Sequence, residues 1–423
     1  MLTKNSLITI WLYLVAELSA LQQVVSLLTG LNGLPAVIVE CFVTTVYTAL
    51  GGFKVSVVTD NVQGAMVVGL IIIATITVGT RTGIDRELIP VSGYLEPSLL
   101  GWQLIYILPV AILTNDFFLS GFWMRTFAAK TDKDLWIGVS IAVFAIIIIL
   151  TLVGFGGILA GWSGILGNPP EPTGIELFAL FETLPGWVVG IVLVMVVTLS
   201  TSAFDSLQSA LISTGSNDLF RNKLNIWVIR ALVVVVFVPT VVIALKSPSV
   251  LQIYLISDLI SASTIPVLVI GLNSKCYWWR GFEVVVGGLG GILTIFLFGL
   301  VYYSGDAAQA ASLLILSQGL FSGDWSTFGA FVAAPVGGLL WAAAAFCLRI
   351  SVQWVLAKVR GKRFDAFDRP AAPDASFHAA PGRISHLSAD SDRVVEIDDG
   401  AMHVKSDIGG TSTKPVGVKG KFF

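Results

Sequence analysis

The sequence is dominated by long apolar runs separated by short polar stretches. A helix of about 20 apolar residues spans the roughly 30 Å hydrocarbon core of a bilayer. Because lipid offers no hydrogen-bond partners, such runs cross it as helices whose backbone groups bond to one another. We therefore predict an all-α polytopic membrane protein. Its ten or so predicted transmembrane helices cover residues 6–28, 33–51, 59–80, 101–121, 134–160, 185–214, 225–245, 249–271, 281–303 and 329–356.

The composition excludes several classes of protein. Hydrophobic residues make up 55% of the chain and charged residues 12%, which is unlike any soluble globular protein of 423 residues. The basic residues form short clusters between apolar runs, which argues against nucleic-acid binding. The cysteines are scattered, and His378, His386 and His403 all lie in a polar C-terminal tail, so no disulfide framework or zinc site is expected. No nucleophile–base pair or phosphate-binding loop stands out, so we expect neither an enzyme nor an organic cofactor.

The distribution of Lys and Arg predicts the orientation in the membrane. Alternate loops on one side carry Lys4, Lys54, Arg125, Lys130, Lys133, Arg221, Lys223, Lys275, Arg280, Lys358, Arg360, Lys362 and Arg363. The other side carries only Arg81, Arg86 and Lys246. By the positive-inside rule, the first side is cytoplasmic and holds both termini. The expected location is the plasma membrane.

Three segments lie outside the predicted spans. Residues 307–322 are apolar but short, which indicates an interfacial or re-entrant segment. The loop 161–183 contains several prolines and no Lys or Arg, as expected of an extracellular connection. Residues 361–423 are rich in Ser, Asp, Gly, Pro and Lys, which predicts a disordered cytoplasmic tail.

A polar stripe interrupts the sixth predicted helix. Ser202, Ser206, Ser209 and Ser213 are spaced by four, three and four residues, so they share one helical face, with Asp205 at its edge. Polar groups at membrane depth are costly unless they face protein, water or an ion. Their oxygens suit a hard cation. Close packing of two helices through small residues explains the stripe equally well.

A second acidic group opens the third predicted helix. Gly51 and Gly52 precede it and predict a tight turn between two helices. Thr59, Asp60 and Gln63 then place oxygens on one helical turn. Asp60 suits either the dipole of a helix N-terminus or ion coordination.

Other charged residues within the predicted spans have simpler interpretations. For Glu17 and Glu40 we favour hydrogen bonds between helices. Arg230, Glu283 and Arg349 lie nearer the cytoplasmic ends, where we expect their side chains to reach the membrane surface.

Three ordered segments resemble the sodium/solute symporter family. Gly51-Gly52, followed by Thr59-Asp60 and Gln63, is similar to its Gly-Gly…Thr-Asp-x-x-Gln signature. Residues 202–206, Ser-Ala-Phe-Asp-Ser, resemble its Ser-Thr-Ala-Asp-Ser cation helix, and residues 125–130 resemble its Arg-x-x-Ala-Ala-Lys loop. The resemblance extends over about 1–300 and, more weakly, over the last two spans.

This resemblance implies an inverted-repeat bundle of the leucine-transporter type, with binding sites where the two repeats meet. On that plan, residues 1–80 are a partial first repeat of three helices and residues 81–275 a second repeat of five. Residues 276–360 add two C-terminal helices, and 361–423 form the tail. The first two core helices of the plan then have no counterpart, so we expect the chain to lack them.

The resemblance also implies two cation positions. One uses a hydroxyl pair that falls on Ser202 and Ala203, and Ala203 has no side-chain oxygen. The other falls on Asp60, Ser202, Asp205 and Ser206. Because two facing carboxylates attract a cation or share a proton, we predict the Na⁺ or H⁺ site at these four residues.

The substrate side is predicted from the helix 101–121, which corresponds to a broken helix of the family. Pro109 and the polar group Thr114-Asn115-Asp116 predict an interruption that lines a cavity. Candidate cavity residues are Asn115, Asp116, Gln252 and Asp258. For each of these four, a hydrogen bond between helices is an equal alternative.

Two functions follow from these expectations. The first is a cation-coupled symporter that imports a small polar solute by alternating access, with urea suggested by analogy and polyamines, amino acids, sugars and carboxylates also found in the family. The second is a non-transporting membrane sensor or scaffold on the same fold. The missing core helices and Ala203 favour the second, whereas the intramembrane carboxylates Asp60 and Asp205 favour the first.

Overall fold

The computed structural model describes residues 2–167, 174–221, 223–246, 249–273, 275–317, 319–320, 323–361, 363–364, 366–368, 395–398 and 401–404. Nearly all of this part of the chain is helical, as predicted. The helices are α1 Leu2–Thr29, α2 Leu34–Arg81, α3 Leu88–Val91, α4 Leu99–Asp116, α5 Ser120–Phe127, α6 Asp132–Trp162, α7 Glu176–Glu182, α8 Gly186–Thr214, α9 Ile226–Lys246, α10 Val250–Leu272, α11 Gly281–Tyr302, α12 Ala307–Leu314 and α13 Ser326–Val359. A π-helical turn, Gly215–Leu219, continues α8.

Nine of the described helices are long and apolar enough to cross a membrane, and they coincide with nine of the ten predicted spans. The protein is therefore a polytopic helical membrane protein. In the described part of the segment 307–322 the helix is the eight-residue α12, which is too short to cross a bilayer.

The predicted turn at Gly51-Gly52 was wrong, because α2 continues through both glycines as one helix of 48 residues. Glycine costs a helix about 1 kcal/mol relative to alanine, so two glycines without a proline weaken it without ending it. A helix of this length measures about 72 Å, more than twice the hydrocarbon core. Among its described residues, Val58–Arg81 qualifies as a membrane span and Leu34–Val46 as a shorter apolar stretch. The cytoplasmic placement of both termini assumed ten crossings and stays a prediction.

The predicted interruption of the fourth span is confirmed. Helix α4 passes through Pro109, ends at Asp116, and is followed by α5 from Ser120. The carbonyl of Phe118, within this break, accepts a hydrogen bond from the Ser6 hydroxyl at 2.6 Å. Broken helices persist at membrane depth only where such partners replace the lost backbone bonds.

Several helices begin where the sequence places an oxygen-bearing cap. The side chains of Ser98, Thr131, Ser249 and Asp306 each accept a hydrogen bond from a backbone N–H of the first turn. Each cap satisfies a donor that the helix leaves without an internal partner.

The described helices bury apolar side chains in two main groups. One joins α1, α2, α7, α8 and α9, around Leu14, Val188 and Phe204. The other joins α4, α10, α11, α12 and α13, around Ile107, Leu259 and Phe331. Helices α6 and α9 have the most apolar spans, yet no residue of the most hydrophobic window of α6 is buried, as expected of a lipid-facing helix.

Glycines allow α11 and α13 to pack closely. A Cβ atom on Gly291 would lie 2.8 Å from the carbonyl oxygen of Ala334, and one on Gly287 equally close to that of Gly338. Small residues at such contacts bring membrane helices together where larger side chains would hold them apart.

The expectation that Glu283 and Arg349 reach the membrane surface was wrong. Glu283 is completely buried and forms an ion pair with Arg349, which also donates a hydrogen bond to the carbonyl of Trp278 at 2.7 Å. The pair connects α11 to α13, because burying either charge alone would be costly.

Residues Phe367–Phe423 form a separate unit, most of which lies outside the described residues. The predicted disorder of 361–423 therefore falls largely outside them as well. Its described part contains an antiparallel hairpin that pairs β1 Val395–Asp398 with β2 Ala401–Val404.

Candidate functional site

The structure brings three of the four predicted cation-site residues together. Asp60 of α2 accepts a hydrogen bond from Ser202 at 2.6 Å and one from Ser206 at 3.4 Å. Both serines belong to the polar stripe of α8 and contact the same carboxylate, so these two share a face as predicted. This stripe packs against α2.

The positively charged side chain of Arg125 also contacts these residues. The Nη2 atom of Arg125 lies 2.6 Å from Asp60 Oδ2 and donates a hydrogen bond to Ser206 at 2.7 Å. Arg125 belongs to α5, so the ion pair joins α2 to α5, and the hydrogen bonds of Ser202 and Ser206 add α8. The guanidinium supplies the positive charge that the sequence analysis assigned to a bound cation. Sequence reasoning identified Asp60 and Arg125 in separate motifs but missed their pairing.

Asp205 has a different neighbour. It is completely buried, and its Oδ1 accepts a hydrogen bond from Thr48 of α2 at 2.6 Å. Thr48 and Asp60 are twelve residues apart, yet both bind α8 within residues 202–206. The two predicted carboxylates thus share the interface between α2 and α8.

A second polar cluster, the Asn115 cluster, lies where α4 breaks. It consists of Tyr13, Asn115, Ser257, Asp258 and Ser261, from α1, α4 and α10. The Asn115 amide donates to the Tyr13 hydroxyl at 2.8 Å and to Asp258 at 2.5 Å. Its oxygen accepts hydrogen bonds from Ser261 at 2.9 Å and Ser257 at 3.2 Å.

These contacts use all the hydrogen-bonding capacity of Asn115, because an amide has two donors and two acceptor lone pairs. Asn115 is completely buried and therefore organises the cluster instead of offering a free group to a ligand. Asp258 is 8% exposed, and the half-buried Asp116 is close enough to interact with it electrostatically. These two carboxyl groups are the acidic members of the site.

Gln252, the fourth predicted cavity residue, lies elsewhere. Its amide donates to the carbonyl of Ile315 at 2.9 Å, which attaches α10 to the segment after α12. Gln252 precedes Asp258 by six residues, or about 9 Å along a helix. Gln252 therefore joins α10 to the segment after α12 and lies outside the Asn115 cluster.

The sequence analysis missed two tyrosines of this region. The rings of Tyr13 and Tyr254 pack edge to face, with their centroids 4.8 Å apart. Tyr254 is also close enough to interact electrostatically with Asp258 and with Glu17. The available signal was the four-residue spacing of Tyr13 and Glu17, which places both on one face of α1.

Comparison with known proteins identifies the family. The chain is 52% identical over 366 residues to the spermidine transporter DUR31 of Candida albicans, and the match covers 86% of this chain and 70% of that protein. The chain belongs to the family of this transporter. It is therefore a membrane transporter and not an enzyme. No protein-family model matches the sequence.

Proposed function

We propose that this protein is a secondary transporter that carries a polyamine across the membrane by alternating access. The observation that carries the proposal is the set of carboxyl groups at the broken helix, Asp116 and Asp258, together with the relative that transports spermidine. Alkyl amines have pKa values near 10, so a polyamine carries several positive charges at neutral pH. Carboxylates replace part of the hydration that those charges lose on entering a membrane protein.

The same chemistry argues for a polyamine over urea. Urea is neutral, so it gains little from buried carboxyl groups and needs only hydrogen-bond donors and acceptors. A cationic substrate compensates the cost of keeping acidic side chains at membrane depth.

We further propose that a cation gradient, of Na⁺ or H⁺, drives transport. The support is the polar contact among Asp60, Ser202 and Ser206, with the buried Asp205 on the same helix. Since Arg125 binds Asp60 in this conformation, a metal cation reaches Asp60 only when the guanidinium moves away. Exchange between the two charges would then couple ion binding to the positions of α2, α5 and α8.

The function is tested by uptake of radiolabelled spermidine into yeast cells that lack their own polyamine uptake systems. We expect saturable uptake that competes with unlabelled spermidine and not with urea. Asp258→Asn should reduce uptake at least tenfold, because a hydrogen bond between charged groups contributes about 1.5–3 kcal/mol and about 1.4 kcal/mol corresponds to a factor of ten. Absence of spermidine uptake by abundant, membrane-inserted protein would overturn the proposed substrate.

The coupling ion is tested in the same cells by varying external Na⁺ and pH separately. Asp205→Asn should weaken the dependence on whichever ion drives uptake. If the Asp205→Asn variant kept the ion dependence of the wild type, Asp205 would have no part in coupling.

A further inference from the structure

Glu40 is a buried acidic residue that the Asn115 cluster does not use. It lies on α2, is 5% exposed, and both of its carboxyl oxygens are buried without a hydrogen-bond partner among the described residues. Glu17 of α1 is close enough to interact with it electrostatically. The sequence analysis interpreted both as hydrogen-bonding residues between helices. An isolated buried carboxylate costs several kcal/mol, so a compensating partner is needed whenever it is charged.

A third helix, α8, contributes a hydroxyl group beside these two glutamates. Ser200 of α8 lies beside the carboxyl groups of both Glu17 and Glu40. It is 3% exposed, and its hydroxyl has one proton to donate, so its oxygen lone pairs stay available as acceptors. Three helices therefore surround one position with oxygen atoms. A ligand with several N–H donors and a positive charge fits this arrangement.

This position lies one helical turn along α1 from the Asn115 cluster. Glu17 comes one turn after Tyr13 on the same face of α1, a rise of about 6 Å. The Tyr254 ring packs on Tyr13 and is close enough to both Glu17 and Asp258 to interact electrostatically. The carboxyl groups of Glu17 and Asp258 thus both lie near a pair of aromatic rings, which attract cations and pack against methylene groups.

We propose that Glu17, Glu40 and Ser200 form a second ammonium subsite, so that the transporter holds two amino groups of one polyamine at once. The proposal rests on the proposed function and specifies how the substrate is selected. Successive nitrogens of spermidine are separated by four or five covalent bonds of about 1.5 Å, or about 5–6 Å when extended. This separation is close to one helical turn, the offset between the Asn115 cluster and Glu17. A monoamine fills one subsite only.

The experiment measures KM and maximal rate for spermidine, and inhibition of its uptake by unlabelled spermidine and by the monoamine butylamine. Glu17→Gln and Glu40→Gln should each raise KM at least tenfold and narrow the preference for spermidine over butylamine by a similar factor. Glu40→Asp keeps the charge and should restore part of the affinity. Glu182→Gln, at the exposed end of α7, is the matched control and should leave both values unchanged.

The amount of tagged protein in the membrane separates a binding defect from a folding defect. Glutamine keeps the size of glutamate without its charge, so the variants should insert normally. Absence of spermidine uptake by the wild type would overturn the proposed function itself. Normal wild-type uptake with unchanged KM in both glutamine variants would overturn the second subsite alone. A lower maximal rate at unchanged KM would assign these carboxyl groups to ion coupling and would also overturn it.

Discussion

Asn115 is the residue on which the central cluster depends most. Replacing it with alanine removes four hydrogen bonds at once and leaves Tyr13, Asp258 and two serines without these partners. Each buried polar group left unpaired costs about 1–3 kcal/mol. Asn115→Ala should therefore lower the melting temperature of the purified protein by several degrees and abolish measurable spermidine uptake.

Asn217→Ala is the matched control for this substitution. Asn217 is exposed, and its amide donates a weak hydrogen bond to the Ser213 hydroxyl at 3.3 Å. This variant should melt within about a degree of the wild type, since exposed substitutions usually change stability by less than 0.5 kcal/mol. Equal stability of the Asn115 and Asn217 variants would show that the cluster contributes little to the fold.

The ion pair between Asp60 and Arg125 gives a second prediction at this scale. Its arginine is 37% exposed, so solvent screens part of the attraction. A double-mutant cycle with Asp60→Asn and Arg125→Gln, measured by thermal unfolding in detergent, should give a coupling energy of about 1 kcal/mol. Additive single effects would mean that the contact contributes nothing to the stability of this conformation.

At the scale of helices, the contact between α11 and α13 depends on the absence of side chains. A Cβ atom on Gly291 would lie 2.7 Å from that of Ser263 and 2.8 Å from the carbonyl oxygen of Ala334. Gly291→Val should force the helices apart, and we expect a loss of about 1–3 kcal/mol or more, as for overpacked cores. The measurement is the fraction of folded protein recovered after detergent extraction.

Gly154→Val is the control for Gly291→Val. Gly154 lies in the exposed part of α6, and a Cβ atom there would meet nothing within 4 Å among the described residues. This variant should be recovered in wild-type amount. Equal losses in both variants would point to a general effect of valine in a membrane helix.

The sequence predicted most spans because lipid imposes one simple requirement on the backbone. A sufficiently long apolar run becomes a helix regardless of its tertiary partners, and nine of ten predicted spans are present. The break after Asp116 was also predicted, because polar residues near a proline in an apolar run indicate it. The continuous α2 was not, because two glycines permit either a turn or a helix, and a local pattern does not decide between them.

Candidate residues were easier to predict than their partners. The sequence identified Asn115 and Asp258, but they are 143 residues apart, and their contact depends on how α4 packs against α10. Likewise, Asp60 and Arg125 were recognised in separate motifs, although their pairing requires α2 and α5 to meet. Glu17 and Glu40 each fit a local interpretation, and only the packing of α1, α2 and α8 places them beside Ser200.

All the candidate sites lie in one of the two units of the molecule. All the residues of the Asn115 cluster, the Asp60 contacts and the second subsite belong to the unit Met1–Ala366. Helix α1 connects these regions, since it contributes Tyr13 to the cluster and Glu17 to the second subsite. Movement of α1 relative to α8 would therefore change both ends of a bound polyamine together.

This organisation predicts that the second unit is dispensable for transport itself. A chain that ends at Asp368 keeps every candidate site residue and the apolar groups that hold α1–α13 together. It should take up spermidine with the wild-type KM when uptake is normalised to the amount of protein in the membrane. A chain that ends at Asp324 is the control, because it loses α13 with the buried Phe331 and Ala334, and it should not accumulate as folded protein. A raised KM in the chain that ends at Asp368 would show that residues 369–423 affect substrate binding, and the site could then no longer be confined to the helical unit.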